Sequence, residues 1–177
     1  MKISVFGGSE PREGDPAYSD ALRLGRILAE RGHTVLTGGY IGTMEAVSRG
    51  AFDAGGHVIG VTCSEIEHWR KIPANRWVQE EWKRETLLER MHDLIGGCDA
   101  ALALPGGAGT LTEIALMWNM MIIETLHRRP LILIGDGWQS VFGQVFTGLA
   151  RYTTEPQRSL LRFAADIDAA VQLVESA

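Results

Sequence analysis

The chain has 177 residues, of which 45% are apolar, and its formal net charge is −5 at pH 7. This length predicts a single domain over residues 1–177, built around one substantial core. Lysine and arginine are scattered rather than clustered, which argues against binding of nucleic acid or of an anionic membrane surface. No stretch approaches the roughly 20 apolar residues that span a bilayer, and the N-terminal apolar run is too short for a secretory signal.

The first sixty residues alternate between strand and helix patterns. Short apolar runs bounded by glycine predict buried strands, and Asp15 followed by Pro16 is typical of a helix start. The predicted strands are 3–6, 33–37 and 57–61, with helices at 16–31 and 42–54 between them. Because parallel strands require helical crossovers, this order predicts a βαβαβ unit.

The remaining chain continues the α/β alternation after an irregular segment. Residues 63–76 are polar and have no clear period, so we expect a surface excursion near the site, able to act as a lid. Asp166 is the expected cap of a final helix. The other predicted helices are 82–95, 108–126 and 138–150, and the predicted strands are 99–104, 130–134 and 160–163.

In the helix at 108–126, residues 114–123 are apolar around nearly the whole circumference, interrupted only by Asn119. A helix that is apolar all round must be buried all round. In a domain of this size, one face is expected to pack on the sheet and the other on a second subunit. The pattern therefore predicts a homodimer formed through the helix at 108–126.

Cysteine and histidine usage indicates neither disulfides nor a metal site. Cys63 and Cys98 are isolated, as expected of reduced, buried thiols in a cytoplasmic protein. The five histidines share no metal-ligand spacing, so we predict no bound metal.

Glycine pairs follow three of the predicted strands, at Gly7-Gly8, Gly38-Gly39 and Gly106-Gly107. Glycine lets the backbone approach a ligand closely and adopt positive φ. The carboxyl ends of parallel strands meet at one edge of the sheet, which is where ligands of open α/β sheets bind. The three pairs therefore predict a site for a phosphate-bearing ligand.

The third pair opens the segment 105–113, Pro-Gly-Gly-Ala-Gly-Thr-Leu-Thr-Glu, which joins a strand to a helix. Successive amides at a helix N-terminus bind an anion without a basic side chain, and the Thr110 hydroxyl can add to them. Glu113 has two interpretations at this point. It faces a bound ligand, or it completes a capping box with Thr110, in which each side chain bonds the other residue's amide.

The segment 105–113 resembles the P-G-G-x-G-T-x-x-E signature of the LOG family, the cytokinin-activating nucleoside 5′-monophosphate phosphoribohydrolases once labelled lysine decarboxylases. The resemblance extends to Phe6-Gly7-Gly8-Ser9, to residues 38–44 and to Glu89-Arg90, and covers roughly residues 3–130. It implies a modified Rossmann fold with helices on both faces of a parallel sheet, and a dimer. It also implies hydrolysis of the N-glycosidic bond of a purine nucleoside 5′-monophosphate to free base and ribose 5-phosphate, with no cofactor.

Carried over by position, the resemblance implies that Arg90 and Glu113 form the catalytic pair. Such a carboxylate can stabilise the positive charge that glycosidic cleavage builds on the sugar. The resemblance assigns the phosphate to Gly106, Gly107, Gly109 and Thr110, and the rest of the nucleotide pocket to Gly8, Ser9, Gly39, Gly42, Thr43 and Met44.

Four positions depart from the family pattern. Met91 stands where the family has lysine, Tyr40 replaces a glycine, and Thr43 replaces leucine. Glu45, at another usual glycine, is expected to add a carboxylate near the pocket. These departures keep open a second function, a non-catalytic carrier of a nucleotide or of a phosphorylated cofactor such as the molybdenum cofactor, because such carriers share this fold.

Two other enzyme classes fit the sequence poorly. Pyridoxal phosphate chemistry needs a Schiff-base lysine, yet Lys2, Lys71 and Lys83 are the only lysines and none follows a glycine loop. A dinucleotide-dependent oxidoreductase needs G-x-G-x-x-G, whereas the first loop lacks the third glycine and is interrupted by Pro11.

Overall fold

The computed structural model describes residues 1–176 and contains seven strands and eight helices in that part of the chain. The strands are β1 (Lys2–Phe6), β2 (Thr34–Thr37), β3 (Val58–Cys63), β4 (Glu80–Arg84), β5 (Ala100–Ala103), β6 (Leu131–Ile134) and β7 (Arg162–Ala164). The helices are α1 (Pro16–Glu30), α2 (Thr43–Asp53), α3 (Ser64–Arg70), α4 (Leu87–Gly96), α5 (Ala108–Ile122), α6 (Asp136–Gly148), α7 (Glu155–Arg158) and α8 (Ile167–Glu175).

All seven strands form one parallel sheet in the order β4-β3-β2-β1-β5-β6-β7. The chain builds outward from β1 to β4 and then returns to place β5 on the other side of β1. Connections therefore leave β1 and β5 in opposite directions, and the crevice between them is the place where ligands of open α/β sheets bind.

Helices cover both faces of the sheet, as predicted. On one face, α1, α2 and α8 pack through residues such as Leu24, Val47 and Val171. On the other face, α4, α5 and α6 contribute residues such as Leu94 and Met117. The parallel α/β fold with two helical layers is therefore confirmed.

The segment from 63 to 95 differs from its predicted structure. The predicted helix at 82–95 is wrong in its first turn, because residues Glu80–Arg84 pair with β3 as the edge strand β4. This strand is mostly exposed on both sides, so it has no alternating apolar pattern. The helix instead begins after Thr86, whose hydroxyl and the Glu89 carboxylate form a capping box. Residues 64–70 of the expected irregular excursion form α3.

Helix α5 is shorter than predicted and buried on one side only. It ends at Ile122, and Glu124 follows with a left-handed φ of 60°. Ile114, Met117 and Met121 face the sheet, whereas Ala115 is exposed and Leu111 is 40% exposed. Neither α5 nor any other helix within residues 1–176 has the length and apolarity needed to cross a membrane.

Candidate active site

The three glycine loops meet at Gly8, at the carboxyl edge of the sheet. The Gly8 amide donates to the Pro105 carbonyl at 3.3 Å, which joins the loop after β1 to the loop after β5. The Gly8 carbonyl accepts from the Thr43 amide at 2.9 Å and from the Thr43 hydroxyl at 3.0 Å, which joins the loop after β2. The two backbone groups of Gly8 therefore position the first residue of α2 and the entry to α5.

A cavity of about 490 Å³ opens beside this junction. The loop after β1, α4 and the first turns of α5 form most of its wall, and α3 also contributes to it. The predicted site residues in its lining are Gly8, Ser9, Met44, Arg90, Gly107, Gly109, Thr110 and Glu113.

The entry to α5 is built to present amides. Gly107 is the N-cap and the helix begins at Ala108, so the amides of the first turn have no carbonyl partner within the helix. Thr110 lies in that first turn, buried, rather than at the cap position, and no side chain caps the helix. The interpretation of Thr110 and Glu113 as a capping box is therefore wrong, and Glu113 is left for another partner.

Gly106 packs the loop rather than lining the cavity. A Cβ at this position would lie 2.2 Å from the Thr110 hydroxyl oxygen and 2.9 Å from the Gly8 amide nitrogen. Any side chain here would push the phosphate loop away from the loop after β1, because the second of these contacts is with backbone.

The partner of Glu113 is Arg90, and the two side chains form a buried ion pair. Nη1 of Arg90 lies 3.5 Å from Oε1 of Glu113, and the side chains are only 5% and 11% exposed. Nε of Arg90 donates to the Val61 carbonyl at 2.8 Å, and its guanidinium lies 5.8 Å from the centre of the Tyr40 ring. Gly38 provides the space, because a Cβ there would lie 2.0 Å from Nη2 of Arg90.

Burial dominates the electrostatics of Glu113. Loss of hydration raises the pKa of its carboxyl to about 7, although the Arg90 guanidinium acts in the opposite direction. A carboxyl with a pKa near neutrality, inside a cleft and beside a fixed cation, is suited to act on a ligand as a charged group or as a proton acceptor.

The loop after β2 packs against the loop after β1, and most of its residues do not line the cavity. Gly39, Gly42 and Thr43 lie outside the cavity lining, so their predicted place in the nucleotide pocket is not observed. Gly42 has a φ of +74° and packs against the Gly8 carbonyl, where a Cβ would lie 2.5 Å from that oxygen. Met44 alone of the predicted residues of this loop reaches the cavity.

The departures from the family pattern have different structural consequences. Tyr40 is buried in the cavity wall, and its hydroxyl accepts from the Cys63 amide at 2.8 Å and donates to the Cys63 carbonyl at 3.1 Å. Glu45 does not line the cavity, because its carboxylate accepts from the Tyr18 hydroxyl at 2.8 Å. The expectation that Glu45 adds a charge to the pocket is therefore wrong.

Helix α3 contributes lining residues that lie outside the family motifs. Ile66, Trp69 and Arg70 line the cavity from this helix, and Leu87 lines it from the start of α4. The indications in the sequence were the predicted position of the excursion near the site and, for Trp69, an aromatic side chain able to stack on a base or to pack on a second subunit. None of the chain's three lysines lines the cavity, which agrees with the argument against a Schiff base.

Comparison with known proteins identifies relatives of two kinds. Residues 1–128 match the model of the SLOG cluster4 family. The chain is 33% identical over 141 residues to a probable cytokinin riboside 5′-monophosphate phosphoribohydrolase of Oryza sativa subsp. japonica, covering 77% of this chain and 55% of that protein. It is 28% identical to the cytokinin riboside 5′-monophosphate phosphoribohydrolase of Rhodococcoides fascians, covering 98% and 89%.

Among solved structures, the molybdenum cofactor binding protein of the phototrophic bacterium Rippkaea orientalis is similar. The TM-score is 0.77 at 26% identity, over 99% of this chain and 95% of that chain. The chain spans a little over half the length of the rice relatives that it matches. Since the family model covers most of the chain, the chain belongs to the SLOG cluster4 family, and its curated relatives are phosphoribohydrolases of the LOG type.

Proposed function

We propose that this protein is a phosphoribohydrolase that cleaves the N-glycosidic bond of a purine nucleoside 5′-monophosphate. The buried pair of Arg90 and Glu113 carries the proposal, because it lies in the same cavity as the first turn of α5. One end of the cavity then suits a phosphate and the other a reacting sugar. The relatives named as phosphoribohydrolases support the same reaction.

The phosphate is proposed to bind at the amides of Gly107 to Thr110, with the Thr110 hydroxyl as an additional donor. The helix dipole favours an anion at this end of α5. Gly106 acts indirectly, by keeping this loop against Gly8. The phosphate thereby fixes the ribose relative to Glu113, and binding energy from this remote group contributes to catalysis.

In the proposed reaction, the bond between C1′ and the base nitrogen breaks and its electron pair leaves with the base. The ribose ring develops positive charge, which the ionised Glu113 stabilises. A water molecule forms the new bond to C1′ and gives up a proton, which the departing base takes up overall. Arg90 acts by holding Glu113 in place and by favouring its ionised form.

Chromatography of reaction mixtures tests the proposal. Purified protein is incubated separately with the 5′-monophosphates of adenosine, guanosine, inosine, cytidine and uridine, and with adenosine as the phosphate-free control. We expect free base and ribose 5-phosphate in equal amounts from at least one purine monophosphate, and much slower release from adenosine. Absence of base release from every monophosphate would reject the hydrolase.

The second candidate function is binding of a phosphorylated cofactor without turnover. The similarity to the molybdenum cofactor binding protein over nearly the whole chain favours it, as does Tyr40, which fills space beside Arg90. In this case calorimetry would detect tight binding of a phosphorylated ligand, and chromatography would detect no free base.

We also propose that the protein is a cytoplasmic homodimer that uses the exposed side of α5. Ala115 is exposed on that side, whereas its neighbours Ile114 and Met117 are buried on the opposite side of the helix. Ala115→Arg is expected to convert a dimer into a monomer, because a buried unpaired guanidinium opposes association. Sedimentation velocity measures the change, and Val141→Arg on the exposed side of α6 is the matched control. An unchanged sedimentation coefficient for Ala115→Arg would place the interface elsewhere.

A further inference from the structure

Arg70, the last residue of α3, lines the cavity together with the first turn of α5. Its Nη2 donates to the Ser9 hydroxyl at 3.0 Å, and its guanidinium lies 5.1 Å from the centre of the Trp69 ring. Both neighbours also line the cavity. The Arg70 side chain therefore connects α3 with the loop after β1.

Arg70 is the cation of this cavity that is available to a ligand. Two arginines line the cavity, and Arg90 is already paired with Glu113. Within residues 1–176, no carboxylate lies within ion-pair distance of Arg70. A guanidinium whose protein partners are a neutral hydroxyl and an aromatic ring retains donors for an incoming anion.

The position of Ser9 places this cation beside the phosphate loop. Ser9 directly follows Gly8, whose amide bonds the Pro105 carbonyl at the start of the loop that leads into α5. A phosphate at the amides of Gly107 to Thr110 therefore lies on the same side of the cavity as Ser9 and its Arg70 partner.

Several contacts attach the base of α3 to the rest of the molecule. The Tyr40 hydroxyl bonds both backbone groups of Cys63, and the Glu65 carboxylate accepts from the Leu87 amide at 2.8 Å. The Glu67 carboxylate accepts from Nζ of Lys83 at 2.5 Å. These contacts fix the helix against β4 and α4 while Arg70 is at its free end. Helix α3 thus supports Arg70 at the cavity wall, and the expectation that this segment acts as a lid stays a prediction.

We propose that Arg70, held by the Ser9 hydroxyl, is a phosphate-binding residue, which completes with a guanidinium the anion site formed by the amides of α5. The inference rests on the proposed function, since it assumes that the ligand's phosphate lies at α5. Guanidinium forms paired, charge-assisted hydrogen bonds to phosphate oxygens. Arg70 then selects for the phosphorylated form of the ligand, and neutral nucleosides gain nothing from it.

Calorimetric titration with ribose 5-phosphate, inorganic phosphate and adenosine tests this role without requiring turnover. Arg70→Ala is expected to weaken ribose 5-phosphate binding by about 10- to 100-fold, the range for a charge-assisted hydrogen bond. Arg70→Lys is expected to recover part of the affinity, because lysine restores the positive charge but not the planar pair of N–H donors of a guanidinium. Adenosine binding is expected to be the same in all these proteins.

Arg76→Ala is the matched control, because Arg76 belongs to the same segment but stacks on Trp77 outside the cavity lining. It is expected to bind ribose 5-phosphate like the wild type. Ser9→Ala is a second variant for the case in which Arg70→Ala folds poorly, and it is expected to lose a few-fold in phosphate affinity alone.

The outcomes separate this inference from the proposed hydrolysis. Equal affinity of wild type and Arg70→Ala for ribose 5-phosphate would overturn the role of Arg70, even if base is released from a nucleoside monophosphate. Arg70-dependent phosphate binding without base release would support the role of Arg70 and reject the hydrolase. Absence of phosphate binding by the wild type would overturn the role of Arg70.

Discussion

Glu113→Gln is expected to reduce base release from the best nucleoside monophosphate by about 1,000-fold, since it removes the charge proposed to stabilise the cationic sugar. Glutamine keeps the size and the hydrogen-bonding oxygen of the side chain, so binding of ribose 5-phosphate should change little. The loss should therefore appear in kcat rather than in KM. Chromatographic assays at saturating and limiting substrate separate the two constants.

Glu45→Gln is the matched control for this substitution. Glu45 is also an acidic residue near the N-terminus of a helix, but its carboxylate bonds the Tyr18 hydroxyl away from the cavity. Base release by Glu45→Gln is expected to stay within about twofold of the wild type, the range of surface changes that leave a site intact. An active Glu113→Gln protein would exclude a catalytic carboxylate at this position.

The raised pKa of Glu113 also predicts opposite pH dependences for activity and stability. The ionised form is proposed to be active, so kcat/KM should fall as pH decreases below about 7. In the folded protein the Glu113 carboxyl keeps its proton up to about pH 7, whereas in the unfolded chain it loses the proton near its usual pKa of 4.5. Its contribution to stability is therefore full below pH 4.5 and is lost as pH rises towards 7.

Removal of the charge should consequently stabilise the protein at alkaline pH. At pH 8, Glu113→Gln is expected to unfold with a free energy about 2–4 kcal/mol higher than the wild type, from the conversion of pKa shifts into free energy. The difference should vanish below about pH 4.5. Urea denaturation at both pH values measures it, and equal stability at pH 8 would show that burial of this carboxylate carries no such cost.

Arg90→Ala is expected to lower base release by about 100-fold or more. The substitution removes the Arg90 guanidinium, which opposes the effect of burial on Glu113. The pKa of Glu113 should therefore rise further. Activity should therefore recover partly at higher pH. The phosphate of the substrate titrates in the same way in assays of the wild type and of Arg90→Ala. The difference between the pH profiles of these two proteins therefore reports on Glu113.

Arg23→Ala is a suitable control for Arg90→Ala. Arg23 forms an exposed ion pair with Asp168 at 2.8 Å, remote from the cavity lining, and such pairs contribute little to stability. Its pH profile should coincide with that of the wild type. If the acidic limb of the pH profile of Arg90→Ala also coincides with that of the wild type, the proposed coupling between Arg90 and Glu113 is wrong.

Local sequence patterns predicted most strands and the loop that leads into α5. Apolar runs ended by glycine mark β1, β2 and β5, because buried parallel strands need apolar side chains on both faces. The edge strand β4 was missed for the complementary reason, since an exposed strand carries no such run. The capping interpretation of Glu113 failed because Gly107, which has no side chain, occupies the cap position.

The sequence by itself determined the family, the alternation of strands and helices, and the amide-rich entry to α5, since each depends on residues close together in the chain. Tertiary structure alone decided that β5 lies beside β1, which brings the first and third glycine pairs together at Gly8. It also decided that Arg70 reaches Ser9, and it provides the contact between Arg90 and Glu113, a pair that the family resemblance had implied. These contacts join separate elements, so strand order and packing create them, and local spacing does not encode them.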